Sequence, residues 1–394
     1  MRKTTKFLIN ASLVVGAIGI SLAAALGVDH WLNLGLKRGL GTLFETNLQR
    51  PEPIMYVYDN RSGWRLNPLT QYHRARDGPF LGLAGLERLD TKLRVNSEGF
   101  IDREHFLKTP YYRIAFAGNS WLEAVQQKYE FRFAPLTEDF VFARSDHKKV
   151  VEIMNFGVSN LGPAQSYGVI KNFVLKYQPD EIWLFVAGRD LFPGTPVETP
   201  PPFGPTFEYV DDSETELKDI HFGYVDPPAY AAWKRQRDIG KYLLPAGFAQ
   251  AMPYFYSDER NVVFDRGWRD MKLAIALIAK TLRDNGVRMR LVYLPHPVEV
   301  DPAAWVDYRR RTTKLLGREL AMDAARGEPR FAALAQELGI EFISLLPLSR
   351  QKGSKEMIAD HFTRAGHFWV AEYLAKLIID TAPAKANVDA VVAR

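Results

Sequence analysis

The chain has 394 residues, a formal net charge of +5 and no cysteine. This length suits one large globular domain with additions or two smaller domains, and the lack of thiols excludes disulfides, cysteine-ligated zinc and a cysteine nucleophile. The positive charges are scattered without interleaved aromatic residues, so the composition does not indicate a nucleic-acid partner.

The N-terminus predicts a membrane-spanning helix. Residues 1–6 are basic, and the stretch of about 22 residues from Phe7 to Val28 carries no charge, which is long enough to cross the hydrocarbon core of a bilayer. Because basic residues stay on the cytoplasmic side, the rest of the chain is expected on the outer side of the membrane. Ala23 and Ala25 form the Ala-x-Ala pattern of a cleaved signal peptide, but the long apolar run favours a retained signal-anchor.

Residues 29–94 form a turn-rich juxtamembrane and lead-in segment, and from Val95 onward short apolar strands alternate with helices. Buried strands separated by helices predict a parallel sheet with helices on both faces. The predicted strands are "YYRIAFAG", "VVEIMNFG", "EIWLFVAG", "VRMRLVYLP" and "IEFISLL", and the predicted helices include "AQSYGVIKNFVLKY", "WRDMKLAIALIAKTLRDNG" and "AGHFWVAEYLAKLIIDT".

Residues 192–266 interrupt this alternation. The stretch "FPGTPVETPPPFGPTF" is too rich in proline for a helix or a central strand. We therefore predict an insertion over the edge of the sheet, serving as a lid or a docking surface. Residues 382–394 are expected to be a flexible tail.

Ser120 lies in "RIAFAGNSWLEA", where a predicted strand breaks into Gly-Asn-Ser and a helix begins. Ligand sites of parallel sheets lie at the carboxyl ends of the strands, and the free N–H groups of a helix start favour a developing oxyanion. A serine that only caps the helix would give the same local pattern. This stretch alone leaves both interpretations open.

The C-terminal stretch "ADHFTRAGHFWVAEYLA" places His361 just before the last predicted helix. With Ser120 and His361 together, residues 95–381, apart from the insertion, resemble the SGNH hydrolase family, also called GDSL-like esterases. The stretch "RVNSEGFIDRE" is similar to the Asn-Ser-x-Gly-Phe lead-in of membrane-anchored bacterial members. The resemblance implies a three-layer α/β/α, flavodoxin-like parallel sheet, held in the periplasm by one helix in the bacterial inner membrane.

The resemblance also implies roles for individual residues. Ser120 matches the nucleophile, whose backbone N–H also serves the oxyanion hole, and Gly157 in "NFGVSN" matches the glycine that supplies a second N–H. His361 matches the general base. His367 is the rival base, but its place on the last helix predicts a packing residue, whereas His296 either lines the pocket or is an ordinary loop residue.

Three positions depart from the family pattern. Asn119 replaces the aspartate of Gly-Asp-Ser, and Arg189 stands where the third motif has its oxyanion asparagine, so that Arg189 or Asn160 would supply the remaining donor. Ile358 occupies the position of the aspartate that orients the histidine, which leaves Asp360 as the possible orienting acid.

Two functions follow from the resemblance. The first is a membrane-anchored serine ester hydrolase or O-acyltransferase that acts on acyl esters of cell-envelope glycan or lipid through an acyl-serine intermediate. The alternative is a catalytically degenerate protein that serves as a membrane-tethered scaffold or as a subunit of a larger membrane complex. Neither requires a cofactor, a metal or a nucleic acid; the expected partners are the acyl ester, the membrane and, in the alternative, a membrane protein.

Overall fold

The central sheet is built from strands whose residues are almost all buried. The computed structural model describes residues 55–76, 89–191, 195–196, 203–224, 242–243, 248–358 and 361–389. Its strands are β1 (Tyr56–Asp59), β2 (Gly63–Leu66), β3 (Gln71–Arg76), β4 (Leu89–Arg94), β5 (Tyr112–Gly118), β6 (Val151–Gly157), β7 (Glu181–Val186), β8 (Thr195–Pro196), β9 (Phe203–Tyr209), β10 (Leu217–Tyr224), β11 (Tyr242–Leu243), β12 (Arg288–Tyr293) and β13 (Glu341–Ser344).

Helices cover this sheet and connect its strands. They are α1 (Ser120–Glu123), α2 (Phe133–Arg144), α3 (Pro163–Val169), α4 (Phe248–Ala251), α5 (Val262–Asp284), α6 (Pro297–Val300), α7 (Pro302–Leu316), α8 (Gly327–Leu338), α9 (Leu346–Lys352), α10 (Ser354–Met357) and α11 (Arg364–Thr381). Helix α3 continues as a π-helical turn, Ile170–Val174, and a 3-10 turn, Leu175–Tyr177. All five predicted sheet strands and the three predicted helices are present, with end points shifted by a few residues.

The five central strands are parallel and lie in the order β13-β12-β7-β5-β6. Numbered along the chain, this is the flavodoxin-like order 2-1-3-4-5, whose switch point lies between the first and third strands, here β5 and β7. The prediction of a flavodoxin-like parallel sheet is confirmed. Ser120 follows β5 and Arg189 follows β7, so the two residues flank the switch point.

Two hydrophobic cores lie on opposite faces of this sheet. Alternate residues of β5 divide between them: Ala115 and Ala117 belong to one core, and Ile114 and Phe116 belong to the other. The first core contains residues of α3, α5 and α8, and the second contains residues of α2, α10 and α11. These two cores make the three layers that the resemblance implied.

The stretch just before β5 is tied to the sheet by a buried charge network of Asp102, His105, Arg113 and Glu152, called the lead-in network below. His105 Nε2 lies 2.9 Å from Asp102 Oδ2 and its Nδ1 lies 2.7 Å from Glu152 Oε1. Arg113 Nε donates to Glu152 Oε2 at 2.8 Å. Burial alone would lower the pKa of His105, but the hydrogen bonds to Asp102 and Glu152 outweigh it and raise that pKa to about 9.

The predicted insertion holds an antiparallel hairpin of β9 and β10 that lies outside the central sheet. Helix α5 begins at Val262, within the range predicted for the insertion. The described parts of the lead-in and of the tail belong to the compact unit Met55–Arg394. In the tail, Val150 donates its N–H to Ala386 O at 2.7 Å, and Ala386 is buried, so residues 382–389 pack on the protein instead of fraying.

The predicted basic segment 1–6 and the predicted signal-anchor 7–28 lie outside the described residues, as does much of segment 29–94. None of the helices in the described part of the chain has the length and apolarity needed to cross a bilayer.

Candidate active site

Ser120 occupies the first position of α1, directly after the carboxyl end of β5. Asn119 caps this helix, because its side-chain Oδ1 accepts a hydrogen bond from Trp121 N–H at 3.1 Å. Among the described residues, none accepts a hydrogen bond from the Ser120 N–H. The serine is therefore held at a helix start with its hydroxyl half-exposed and its amide available for a ligand.

His361 meets this serine from the other end of the sequence. Its Nε2 lies 2.7 Å from Ser120 Oγ, which is hydrogen-bonding distance for a serine that donates to an imidazole. Aromatic packing holds the histidine in place: the Trp121 ring lies 5.2 Å from the His361 ring and 4.6 Å from the Phe362 ring. The fold thus brings together the two residues that sequence reasoning paired.

The group that orients His361 is not the one the family pattern would supply. Ile358 is buried at the expected aspartate position and forms an isolated antiparallel bridge with Phe362. An isoleucine cannot accept a hydrogen bond from the imidazole. Asp360, the other predicted orienting acid, lies outside the described residues.

Asn119 has a second partner that explains the departure from aspartate. Its Nδ2 donates to both carboxylate oxygens of Asp190, at 2.9 and 2.7 Å, across the switch point between β5 and β7. Burial raises the pKa of Asp190 to about 7, opposed by the Ala187 N–H, the charge of Arg189 and the Asn119 amide. An aspartate at position 119 would set two buried carboxyl groups against each other, whereas asparagine joins them.

Gly157 ends β6, at the edge of the sheet where the oxyanion donors are predicted. Its N–H donates to Asn155 Oδ1 at 3.0 Å, so the expected oxyanion donor already has an acceptor inside the protein. A Cβ at this position would lie 2.2 Å from Leu122 Cβ and 2.6 Å from Glu123 N. The geometry therefore supports a packing role, in which the missing side chain lets α1 lie directly against β6.

Asn160 lies in the loop after β6, at the same edge of the sheet. Its backbone is left-handed, with φ of 63°, a conformation that asparagine tolerates better than most residues. The preceding Ser159 is fixed because its N–H donates to Glu123 Oε2 at 3.1 Å. No hydrogen bond joins the Asn160 amide to another residue within the described ranges, so it remains available as a donor.

Arg189 is exposed and lines an open pocket of about 220 Å³ together with Met252, Tyr256, His296 and Tyr308. His296 follows β12, as expected for a residue at a strand end that lines the pocket, and it caps α6. Sequence reasoning missed Met252, Tyr256 and Tyr308. The two tyrosines give only the local signal of aromatic character, near the end of the insertion and on α7. This signal does not reveal which strand ends they face.

His367 is fully buried and stacks on Phe133, with ring centroids 5.5 Å apart. Its Nδ1 accepts a hydrogen bond from the Phe133 N–H at 3.2 Å. Burial, with the nearby charge of Arg132, lowers the pKa of His367 to about 3. The prediction of a packing histidine is confirmed, since a neutral buried ring that accepts from backbone has no access to substrate.

Within the described ranges, no group of three acidic or histidine side chains is arranged to hold a metal ion.

A serine and a histidine in contact at the carboxyl edge of a 2-1-3-4-5 sheet is the arrangement that the family resemblance implied. The chain has an SGNH-like fold. Neither a family model nor a curated protein matches the sequence.

Solved structures that match this chain include proteins described as G-D-S-L or GDSL-like lipolytic proteins. A lipolytic protein of the G-D-S-L family from Desulfitobacterium hafniense is 10% identical over 68% of this chain and 99% of its own, with a TM-score of 0.34. The lipase/acylhydrolase from Enterococcus faecalis is 14% identical over 68% and 95%, with a TM-score of 0.37. A GDSL-like lipase from Bacteroides thetaiotaomicron is 13% identical over 69% and 89%, with a TM-score of 0.33. Since these TM-scores are below 0.5, the functional argument rests on the site itself.

Proposed function

We propose that this SGNH-like protein is a serine ester hydrolase that forms an acyl-Ser120 intermediate. The observation that carries the proposal is the 2.7 Å contact between Ser120 Oγ and His361 Nε2 at the carboxyl edge of the sheet. The two residues are 241 positions apart in the chain, so neither local packing nor helix capping accounts for their meeting.

The reaction follows from this contact. His361 Nε2 takes the hydroxyl proton as Ser120 Oγ attacks the ester carbonyl, and the same nitrogen returns the proton to the leaving alcohol. The acyl group is then on Ser120, and water or a second alcohol removes it by the reverse sequence. Water gives hydrolysis and an alcohol gives acyl transfer.

The oxyanion formed by this attack needs hydrogen-bond donors. The Ser120 N–H is one, because no described residue accepts from it. We assign the second donor to the side-chain amide of Asn160, since the Gly157 N–H already donates to Asn155. Loss of one such donor costs about 2.7 to 4 kcal/mol of transition-state stabilisation, so a site with a single donor would be slow.

The substrate and location belong to the same proposal. The predicted signal-anchor 7–28 would place the site on the outer side of the membrane, where acyl esters of cell-envelope glycans and lipids are found. Hydrolysis and O-acyl transfer to a glycan are both compatible with the site. In the scaffold alternative the protein has the same fold but does not catalyse ester hydrolysis or acyl transfer.

Labelling with an alkyl fluorophosphonate tests the proposal directly. We expect the full chain to label and to hydrolyse a short-chain aryl ester, Ser120→Ala to do neither, and His361→Ala to lose about 10² to 10⁴ of the rate, the usual contribution of a general base. Ser213→Ala and His221→Ala are matched controls, because both residues lie on the exposed β9–β10 hairpin. If the wild-type protein labels no faster than Ser120→Ala, the hydrolase proposal is wrong and the scaffold alternative remains.

A further inference from the structure

The pocket lined by Arg189, Met252, Tyr256, His296 and Tyr308 lies at the same edge of the sheet as Ser120. Arg189 follows β7, which pairs with β5, and His296 follows β12, which pairs with β7. Carboxyl ends of neighbouring parallel strands meet at one edge, which is where α/β proteins bind ligands. The pocket is thus a neighbour of the serine–histidine contact, on the β12 side.

Arg189 has no internal role that the described residues reveal. None of them lies within ion-pair or hydrogen-bonding distance of its guanidinium, and the side chain is exposed. By contrast, Arg113 is buried and donates to Glu152 Oε2 at 2.8 Å. An exposed guanidinium without a protein partner keeps its donors available for a ligand.

The lining of the pocket is basic and aromatic, and none of the described lining residues is a carboxylate. Two acids are close in sequence, but both point to internal partners. Asp190 accepts from Asn119 and from the Ala187 N–H at 2.8 Å. Glu299 accepts from Tyr293 OH at 2.6 Å and from the His296 N–H at 2.7 Å. Among the described residues, no acid therefore faces the charge that Arg189 presents to the pocket.

His296 also lines this pocket, and its Nδ1 accepts a hydrogen bond from Val298 N–H at 3.4 Å. The Arg189 guanidinium matches the oxygen atoms of a carboxylate or phosphate, which arginine binds in a bidentate manner. The volume of about 220 Å³ lies below the range of roughly 300 to 1,000 Å³ typical of pockets for drug-sized ligands.

We propose that this pocket binds a carboxylate or phosphate group on the substrate whose ester Ser120 cleaves, so that the enzyme prefers anionic esters over neutral ones. This inference rests on the proposed function, because it assigns the substrate of the same site. It gives Arg189 a role in substrate binding instead of the oxyanion role considered from sequence.

Matched substrates test the preference. Methyl glucoside, methyl glucuronoside and methyl glucoside 6-phosphate, each acetylated at the same hydroxyl, differ only in the charged group, and acetate release gives kcat/KM for each. We expect at least one charged ester to exceed the neutral ester about tenfold or more, since a hydrogen bond to a charged group is worth about ten- to hundredfold. The carboxylate and phosphate arms identify which anion is preferred.

Variants connect that preference to the pocket. Arg189→Gln is expected to lower the ratio of charged to neutral kcat/KM about tenfold or more, and Arg189→Lys to restore part of it. Arg94→Gln is the matched control, because Arg94 is also exposed but does not line the pocket. A ratio unchanged in Arg189→Gln would overturn the inference, and so would an equal loss for charged and neutral esters, which is the signature of an oxyanion role.

A binding measurement separates this inference from the proposed function. Ser120→Ala protein is titrated with the three sugars without their acetyl group, and binding is followed by calorimetry or NMR. Charged sugars are expected to bind and the neutral sugar not to bind, with binding lost in the Ser120→Ala, Arg189→Gln double variant. Charge-dependent binding by a protein that fails to label would refute the hydrolase alone, whereas ester hydrolysis with no charge preference would refute the anionic substrate alone.

Discussion

The two ends of the central strands use charge in opposite ways. At the amino ends of β5 and β6, the lead-in network is buried and each of its four charged side chains contacts another member. At the carboxyl ends, Ser120 and His361 are half-buried and Arg189 is exposed, with no ion pair to any described residue. Charges that are paired inside the protein hold it together, and a charge left facing an open pocket is available to a substrate.

This contrast predicts that changes at one end alter stability and changes at the other alter activity. A buried ion pair that loses one partner leaves an uncompensated charge, which is costly. Truncating one side chain of a half-exposed catalytic pair lowers the free energy of unfolding only slightly, because water replaces the lost partner.

The largest expected effect on stability comes from Arg113→Met. Arg113 Nε donates to Glu152 Oε2, and Nη1 donates to Leu107 O at 3.0 Å. The change therefore leaves the buried Glu152 Oε2 and the Leu107 carbonyl without these donors. We expect the free energy of unfolding to fall by about 3 to 5 kcal/mol in a denaturant titration. Arg260→Met removes an exposed ion pair with Asp265 and should cost about 1 kcal/mol or less. Similar losses in the two variants would contradict the structural role of the lead-in network.

The next effect is a pH dependence carried by His105. Its pKa is raised in the folded protein from about 6.5 to about 9, so its stabilisation is fully present below pH 6.5 and is lost as the pH rises through 9. At about 1.4 kcal/mol per pKa unit, this amounts to about 3 kcal/mol between pH 6 and pH 10. We expect unfolding titrations to show that decline in wild type and a flatter profile in His105→Gln, after subtraction of the changes common to both. Parallel profiles would show that the imidazole is not cationic.

The smallest expected effect is that of Asn119→Asp, at the junction between the two kinds of region. The new carboxyl group would face Asp190, whose oxygens now lie 2.7 and 2.9 Å from Asn119 Nδ2. Because burial already raises the pKa of Asp190 to about 7, the pair can share one proton at pH 5, whereas at pH 8 it must either keep that proton against the solvent or place two carboxylates side by side.

We therefore expect a loss of about 1 to 3 kcal/mol in the free energy of unfolding at pH 8 and a smaller loss at pH 5. Asn119→Ala is the control, since it removes the cap and the contact without adding charge; because the Asn119 amide lowers the pKa of Asp190, its cost should also rise from pH 5 to pH 8, but by less than that of Asn119→Asp. Equal losses for Asn119→Asp at the two pH values would mean that Asp190 has another proton donor.

The sheet could be predicted because its strands are continuous apolar runs, and Ser120 because it ends one of them. His361 was predictable only through the family motif before the last helix, since no local pattern links it to Ser120. The sequence also indicated Gly157 as a special position, but the close approach of Leu122 to it is visible only in the folded chain.

The features that could not be predicted from the sequence arise from contacts between distant segments. His105 lies in an ordinary polar stretch, and only the pairing of β5 with β6 places Glu152 beside it. The pocket wall likewise combines Tyr256 from one segment with His296 and Tyr308 from others. Local periodicity does not specify which segments meet, so such clusters need the structure.

The packing of residues 382–389 has a consequence for association between molecules. Strand β6 lies at the edge of the central sheet, and the start of this edge is covered by the bridge between Lys149 and Asn387 and by the hydrogen bond from Val388 N–H to Lys148 O at 2.9 Å. Exposed edge strands present unpaired backbone groups to other chains and promote aggregation. The last described turn of the chain thus covers the backbone groups just before β6, and a protein shortened at Thr381 would expose the Val150 N–H and the Lys148 carbonyl to other chains.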